Sequence, residues 1–230
     1  MLVLGIDTSG KSGGITLAKA DGEPVHCLET AAIAGGTFSA QLVPTLAALL
    51  SKHRFGTRDI DGFAVASGPG SFTGLRVGLS AVKGLAEVLD KPIAAVSVLE
   101  ALATLSTRNS CVAVALDAGR SEVFWGVYKV SEGTATKIGE ELLSQVEFLG
   151  KLHDRNIGNV ITSDISLAEL AKASYAGVPL QQVERQGSEL VARIGIRKLL
   201  AGDTVSIEAL DANYIRRSDA ELFGQPKDNR

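Results

Sequence analysis

The chain has 230 residues, 45% hydrophobic and 21% charged, with a mean hydropathy of +0.19; that excludes wholesale disorder and allows one large domain or two compact ones. Lys and Arg number 23 against 26 Asp and Glu, a net charge of −3, which excludes a protein that grips nucleic acid through its own basic surface. Two cysteines, Cys27 and Cys111, support neither a disulfide framework nor a thiolate metal site, as in a reducing compartment.

Leu2 to Ile6 is a short apolar run closed by the turn cluster Asp7-Thr8-Ser9-Gly10, the pattern of a buried strand. A carboxylate this early argues against a signal peptide, and no apolar run approaches the ~18 residues that span a bilayer. A cytoplasmic location is expected. Residues 14–19 pair back as a second strand and 24–33 supply a third. Phe38, Leu42, Leu46, Leu49 and Leu50 then recur at helical spacing, predicting a helix over 39–53 whose start Pro44 shifts toward Val43. A strand over 60–66 is broken by Ser67-Gly68-Pro69-Gly70, and a long helix over 71–89 follows with Leu75, Leu79, Val82, Ala86 and Leu89 on one stripe. Residues 92–96 form a strand, and Ser97 with Glu100 makes a capping box that opens a helix through 106. The order βββαβαβα is that of a ribonuclease H-like unit, a mixed sheet with helices on its faces.

The second half opens alike. Cys111 to Leu116 ends in Asp117-Ala118-Gly119-Arg120, and residues 122–130 return as a hairpin. A strand over 134–140, a helix over 142–153 and a strand over 160–163 follow. Asp164 caps a helix to Ala173, and Ser188 caps another to Ala201. The match of 3–10 with 113–120 in pattern predicts a duplicated unit: an α/β, actin-like pair of ribonuclease H-like lobes, the second truncated. The lobes span 1–107 and 108–205, and a segment over 206–230 packs back on the first lobe and frays at its end.

Only three histidines occur, His26, His53 and His153, far apart. No helix face carries a metal-binding pair, and G-x-S-x-G is absent. No catalytic residue and no metal ligand is assigned. Two turns hold more interest. Asp7-Thr8-Ser9 could receive phosphate oxygens and orient a hydrated magnesium, with Asp117 facing it from the second lobe; equally, both aspartates could simply bond their own turns. No cofactor is required, and any nucleotide with magnesium is weakly held. In the helix over 71–89, Gly74, Gly78, Ala81 and Gly84 leave main chain bare. Each glycine costs about 1 kcal/mol of helix propensity, which close approach of another helix, from this chain or from a partner, would offset. Leu75 and Leu79 lie on one side and Val77 and Ala81 on another, the pattern of a helix covered twice.

Asp7-Thr8-Ser9, the run from Gly68 through Phe72, Gly74, Leu75 and Arg76 to Gly78, Leu116 to Phe124, and Tyr214-Ile215-Arg216-Arg217 together resemble the TsaB family over nearly the whole chain. The resemblance implies a two-lobed actin-like fold and a non-catalytic relative of the transferase subunit TsaD. Such a protein pairs with TsaD and the small ATPase TsaE so that adenosine 37 of tRNA acquires threonylcarbamoyl, and touches tRNA only through that complex. It further implies that the two helices of the first lobe form the pairing surface, here Phe38, Leu42, Leu46, Phe72, Gly74, Leu75, Arg76, Gly78, Leu79 and Ala81; without the partner, the same apolar stripe is expected to self-pair as a two-fold homodimer. Two positions depart from the family: Phe38-Ser39-Ala40 stands where many relatives have His-Ser-Glu, and Ala212 where many have proline. The histidine pair that binds metal in catalytic relatives has no counterpart here. The alternative is a small-molecule kinase or ATPase of the same superfamily.

Overall fold

The computed structural model describes residues 1–21, 24–154, 156–174, 177, 179–185, 187–213 and 215. The first half forms β1 (Leu2–Asp7), β2 (Ser12–Lys19), β3 (His26–Ala34), α1 (Phe38–Lys52), β4 (Gly62–Gly68), α2 (Phe72–Leu89), β5 (Ile93–Ser97) and α3 (Val98–Ala103). The second half forms β6 (Cys111–Gly119), β7 (Glu122–Ser131), β8 (Thr134–Ser144), α4 (Gln145–Lys151), β9 (Asn159–Thr162), α5 (Ile165–Ser174), β10 (Leu180–Gln182) and α6 (Gly187–Leu200).

The first sheet runs β3-β2-β1-β4-β5 and the second β8-β7-β6-β9-β10, each with two antiparallel pairings followed by parallel ones. Strand for strand the two orders are the same, which is the duplicated ribonuclease H-like fold. The second unit carries the shorter outer helices, 7 and 10 residues against 15 and 18.

Period-two alternation along β1 explains the layering. Leu2, Leu4 and Ile6 face α1 and α2, joining Leu42, Leu46, Leu75 and Leu79 in one core. Val3 faces the opposite way, toward Val191, Ala192 and Ile196 of α6. The outer face of the second sheet packs Trp125 edge-on against Phe148 of α4, ring centroids 5.7 Å apart. Between the sheets lie α3 and α6, and they are exchanged: α3 leaves the first sheet and packs chiefly on β6, β7 and β8, whereas α6 leaves the second sheet and packs on β1, β2, β4 and β5. Each lobe therefore lends its last helix to the other, and a boundary at residue 107 cuts through a shared core rather than between two cores. Beyond α6, Val205 bridges to Ile93 while Leu210 and Ala212 enter the first core. The end of the C-terminal segment lies outside the described residues.

Several boundaries differ from the sequence reading for local reasons. Helix α1 begins at Phe38 despite Pro44 inside it; Ala40 and Pro44 both face outward, so the carbonyl that loses its donor reaches water. Ser188 is not a cap: it sits inside α6, buried, with its hydroxyl 2.9 Å from that of Thr16. The capping box that opens α4 is Ser144 with Glu147, because β8 continues to Ser144. Strand β10 was not anticipated, since Leu180-Gln181-Gln182 has no apolar period to betray it.

Close helix–sheet approach depends on small residues. A Cβ placed on Gly195 of α6 would lie 2.1 Å from the Ala64 Cβ, whereas one on Gly150 of α4 meets nothing within 4 Å. Gly195→Ala should destabilise the chain by about 1–3 kcal/mol through overpacking, and Gly150→Ala should not destabilise it; urea denaturation of the two variants checks this.

Candidate functional site

Helix α2 is seated on the turn that follows β1. Thr8 Oγ1 donates to Gly74 O at 2.7 Å, and Ser71 N donates to Ser9 O at 2.7 Å. Ser71 caps the helix, its Oγ accepting from Gly74 N at 3.2 Å. The glycines make this contact possible. A Cβ on Gly74 would sit 2.0 Å from Thr8 O, and one on Gly78 2.4 Å from Thr8 Oγ1. Bare main chain at 74 and 78 thus serves the chain's own turn, which corrects the expectation that these two glycines await another helix. Gly84 is different: nothing lies within 4 Å of its Cβ position.

The remaining pairing-surface residues sort by burial. Phe38, Leu42, Leu46, Leu75 and Leu79 are core residues, so the structure withdraws them from any exposed face. Phe72, Arg76, Ser80, Gly84 and Val88 are exposed and recur every four residues, with half-buried Val77 and Ala81 beside them. Phe72 is 40% and Val88 82% exposed, and the Arg76 guanidinium stacks 3.9 Å above the Phe72 ring. On α1 the outward residues include Ala40, Val43, Pro44 and Ala47. The two neighbouring helices therefore present small or apolar groups, with one aromatic–arginine pair at the end of α2 nearest the cleft.

That cleft, about 1360 Å³, opens between the lobes. Ser9, Gly70 and Phe72 line it from the first lobe; Asp117, Asp164 and Arg185 line it from the second half of the chain. Asp7 does not reach it. At 2% exposure it lies beneath Ser9, and its Oδ1 accepts from both the amide (2.8 Å) and the hydroxyl of Ser9. Asp117 is exposed; its Oδ1 accepts from Gly119 N at 2.8 Å and its amide donates to Asp164 Oδ2 at 2.7 Å. Both aspartates thus bond their own turns, one buried and one open.

Three residues at or near the cleft escaped sequence reasoning, Arg185 and Asn213 in its lining and Glu140 beside Asn213. Arg185 Nη2 donates to Ser9 Oγ and lies 3.8 Å from Asp7 Oδ2. Glu140 of β8 accepts from Ser97 Oγ at 2.6 Å, from Asn213 Nδ2 at 2.6 Å and from the Tyr128 hydroxyl. The Asn213 amide also donates to Ser67 O at 2.6 Å, so this carboxylate ties the second sheet to the strand end that precedes α2. No short-range pattern marks these contacts, whose partners lie from 12 residues apart, Tyr128 and Glu140, to 176 apart, Arg185 and Ser9. Arg216 and Arg217 lie outside the described residues.

A family model described as TsaD, tRNA N6-adenosine threonylcarbamoyltransferase, matches residues 32–194. Over 236 aligned residues, covering 96% of each chain, the sequence is 30% identical to the tRNA threonylcarbamoyladenosine biosynthesis protein TsaB of Bacillus subtilis (strain 168). The chain belongs to the TsaB family. The TsaB protein of Escherichia coli (strain K12) is 26% identical over 227 residues, again covering 96% of each chain. Among solved structures, YeaZ from Pseudomonas aeruginosa superposes with a TM-score of 0.75 at 24% identity, covering 93% of this chain and 100% of that one, which bears out the fold. No helix among the described residues is long and apolar enough to cross a membrane.

Two predictions follow from these contacts. Gly78→Leu should lower the melting temperature sharply, because the new side chain meets Thr8 rather than solvent. Burial, with the Glu140 carboxylate beside it, pushes the Tyr128 hydroxyl far above the usual tyrosine range. The folded chain therefore holds this proton more tightly than the unfolded one, and the contribution is intact below about pH 10 and lost as pH rises further. The stability difference between wild type and Tyr128→Phe should be constant near neutrality and shrink in alkali, as urea melts across that range would show.

Proposed function

We propose that this TsaB-family chain is a non-catalytic subunit of tRNA threonylcarbamoyladenosine synthesis, which docks on TsaD through the outer faces of α1 and α2 and, with TsaE, completes the modifying assembly. The observation that carries this reading is the exposed row Phe72, Arg76, Ser80, Gly84 and Val88, flanked by the small apolar face of α1. A helix with its inner stripe on the sheet and Val88 82% exposed on the other side lacks a cover in the monomer. Gly84 gives an opposing helix room to approach closely, and Arg76 over Phe72 supplies an aromatic–cationic anchor of the kind enriched at interface centres. About 800 Å² per partner is a reasonable size for such a contact.

Without TsaD, the same face pairs with its own copy about a two-fold axis. The net charge of −3 leaves tRNA binding to the partner. Work in the cytoplasm, where tRNA is modified, fits this role. The kinase or ATPase alternative draws on the cleft between the lobes, but the carboxylate it would need, Asp7, is buried under Ser9.

Gly84 separates docking from folding. Because its Cβ position is open, Gly84→Leu should stabilise the isolated helix by roughly 0.5–1 kcal/mol while abolishing co-elution with purified TsaD; Val88→Asp should weaken co-elution without changing the melting temperature. Undiminished co-elution of both variants would overturn the assignment of this face.

A further inference from the structure

Magnesium with a nucleotide is what an actin-like cleft leads one to expect, and the carboxylate at the end of β1 is where a hydrated ion would be oriented. The residues present do not fit that ion. Asp7 Oδ1 is taken by the amide and hydroxyl of Ser9, and Asp7 Oδ2 faces the Arg185 guanidinium at 3.8 Å. The Ser9 hydroxyl is itself held between Arg185, from which it accepts, and Asp7, to which it donates. Beside Asp7, Arg185 and Gly187 the free space is about 10 Å³, room for roughly one water molecule, whereas magnesium keeps several waters of its own. Across the cleft, Asp117 Oδ1 accepts from Gly119 N, and Asp164 Oδ2 accepts from the Asp117 amide. Among the described residues no three His, Cys, Asp or Glu side chains converge on a common point.

We propose that Arg185 is the built-in cation of this cleft: its guanidinium stands beside Asp7 and Ser9 where a nucleotide-bound divalent ion would have to stand, and so makes the site metal-refractory. The placement is structural as well as electrostatic. Arg185 lies in the short passage between β10 and α6, where the chain leaves the second sheet to return to the first. Pairing it with the β1–β2 turn pins that passage across the mouth of the cleft. A guanidinium remains charged at any working pH, so the positive charge beside Asp7 is permanent, and a second cation at the same carboxylate would be repelled.

The test uses the full chain and Mn²⁺ alone as probe, followed by isothermal titration calorimetry or by the manganese spin-resonance signal. Wild type should show no saturable Mn²⁺ site that depends on Asp7, and magnesium should not raise its affinity for ATP over that measured in EDTA. Arg185→Ala should gain a Mn²⁺ site at least tenfold tighter than anything in wild type, and Asp7→Asn in that background should remove it. Arg185→Lys, which keeps the charge, should remain without the site. Circular dichroism verifies folding, and Arg185→Gln, which can still bond Ser9, replaces the alanine variant if that one unfolds. An Asp7-dependent Mn²⁺ site in wild type, a magnesium-dependent gain in ATP affinity, or a folded Arg185→Ala variant (or the Arg185→Gln variant in its place) with no new site would each overturn the proposal. Neither arm involves TsaD, so failure here would leave the docking surface untouched.

Discussion

Thr8 and Gly74 meet main chain to side chain at 2.7 Å, and the orientation of the first lobe's outer layer depends on that contact. A side chain at 74 or 78 would push α2 off the β1 turn. With glycine at both positions the helix settles so that Leu75, Leu79 and Val82 enter the core, and helical geometry then dictates the rest. Residues 72, 76, 80, 84 and 88 must face outward. The bare main chain that seats the helix on its own fold is thus separate from the bare main chain at Gly84, where nothing lies within 4 Å of the Cβ position.

The exchanged helices make the two lobes one packing unit. Because α3 covers the second sheet and α6 the first, separating the lobes would expose the apolar faces of both helices and both sheets. Glu140 adds a polar tie where Ser97, Asn213 and Tyr128 converge, and Arg185 adds another at the cleft. Hydrogen bonds to a charged group are stronger than neutral ones, so these two ties add to the packing that joins the lobes.

The repeated unit was legible because strand ends carry strong local chemistry. Asp7-Thr8-Ser9 and Asp117-Ala118-Gly119 stop apolar runs in the same way, and the unbroken apolar run of β1 announces a strand buried on both faces. Helices α1 and α2 were equally plain from their leucine spacing, which put Leu42 and Leu46 on one stripe of α1 and Leu75 and Leu79 on one stripe of α2. The same periodicity could not say which stripe is inner, and so core leucines were counted with the pairing surface. Glycine spacing likewise reports close approach without naming what approaches: Thr8 for Gly74 and Gly78, open space for Gly84. The cleft contacts were invisible for a different reason. Arg185 reaches Ser9 across 176 residues of chain and Glu140 reaches Asn213 across 73, and no local period encodes such meetings. The family resemblance carried the functional expectation, and the structure separates the buried residues of α1 and α2 from the outward ones.

The two lobes share helices, and α2, beside α1, carries an exposed row at 72, 76, 80, 84 and 88. Amide hydrogen–deuterium exchange of the whole chain, alone and mixed with TsaD, measures where a partner rests. The account predicts slowed exchange confined to 38–52 and 72–89. Slowed exchange on the second lobe, around β8 and α4, with α2 unchanged would contradict it.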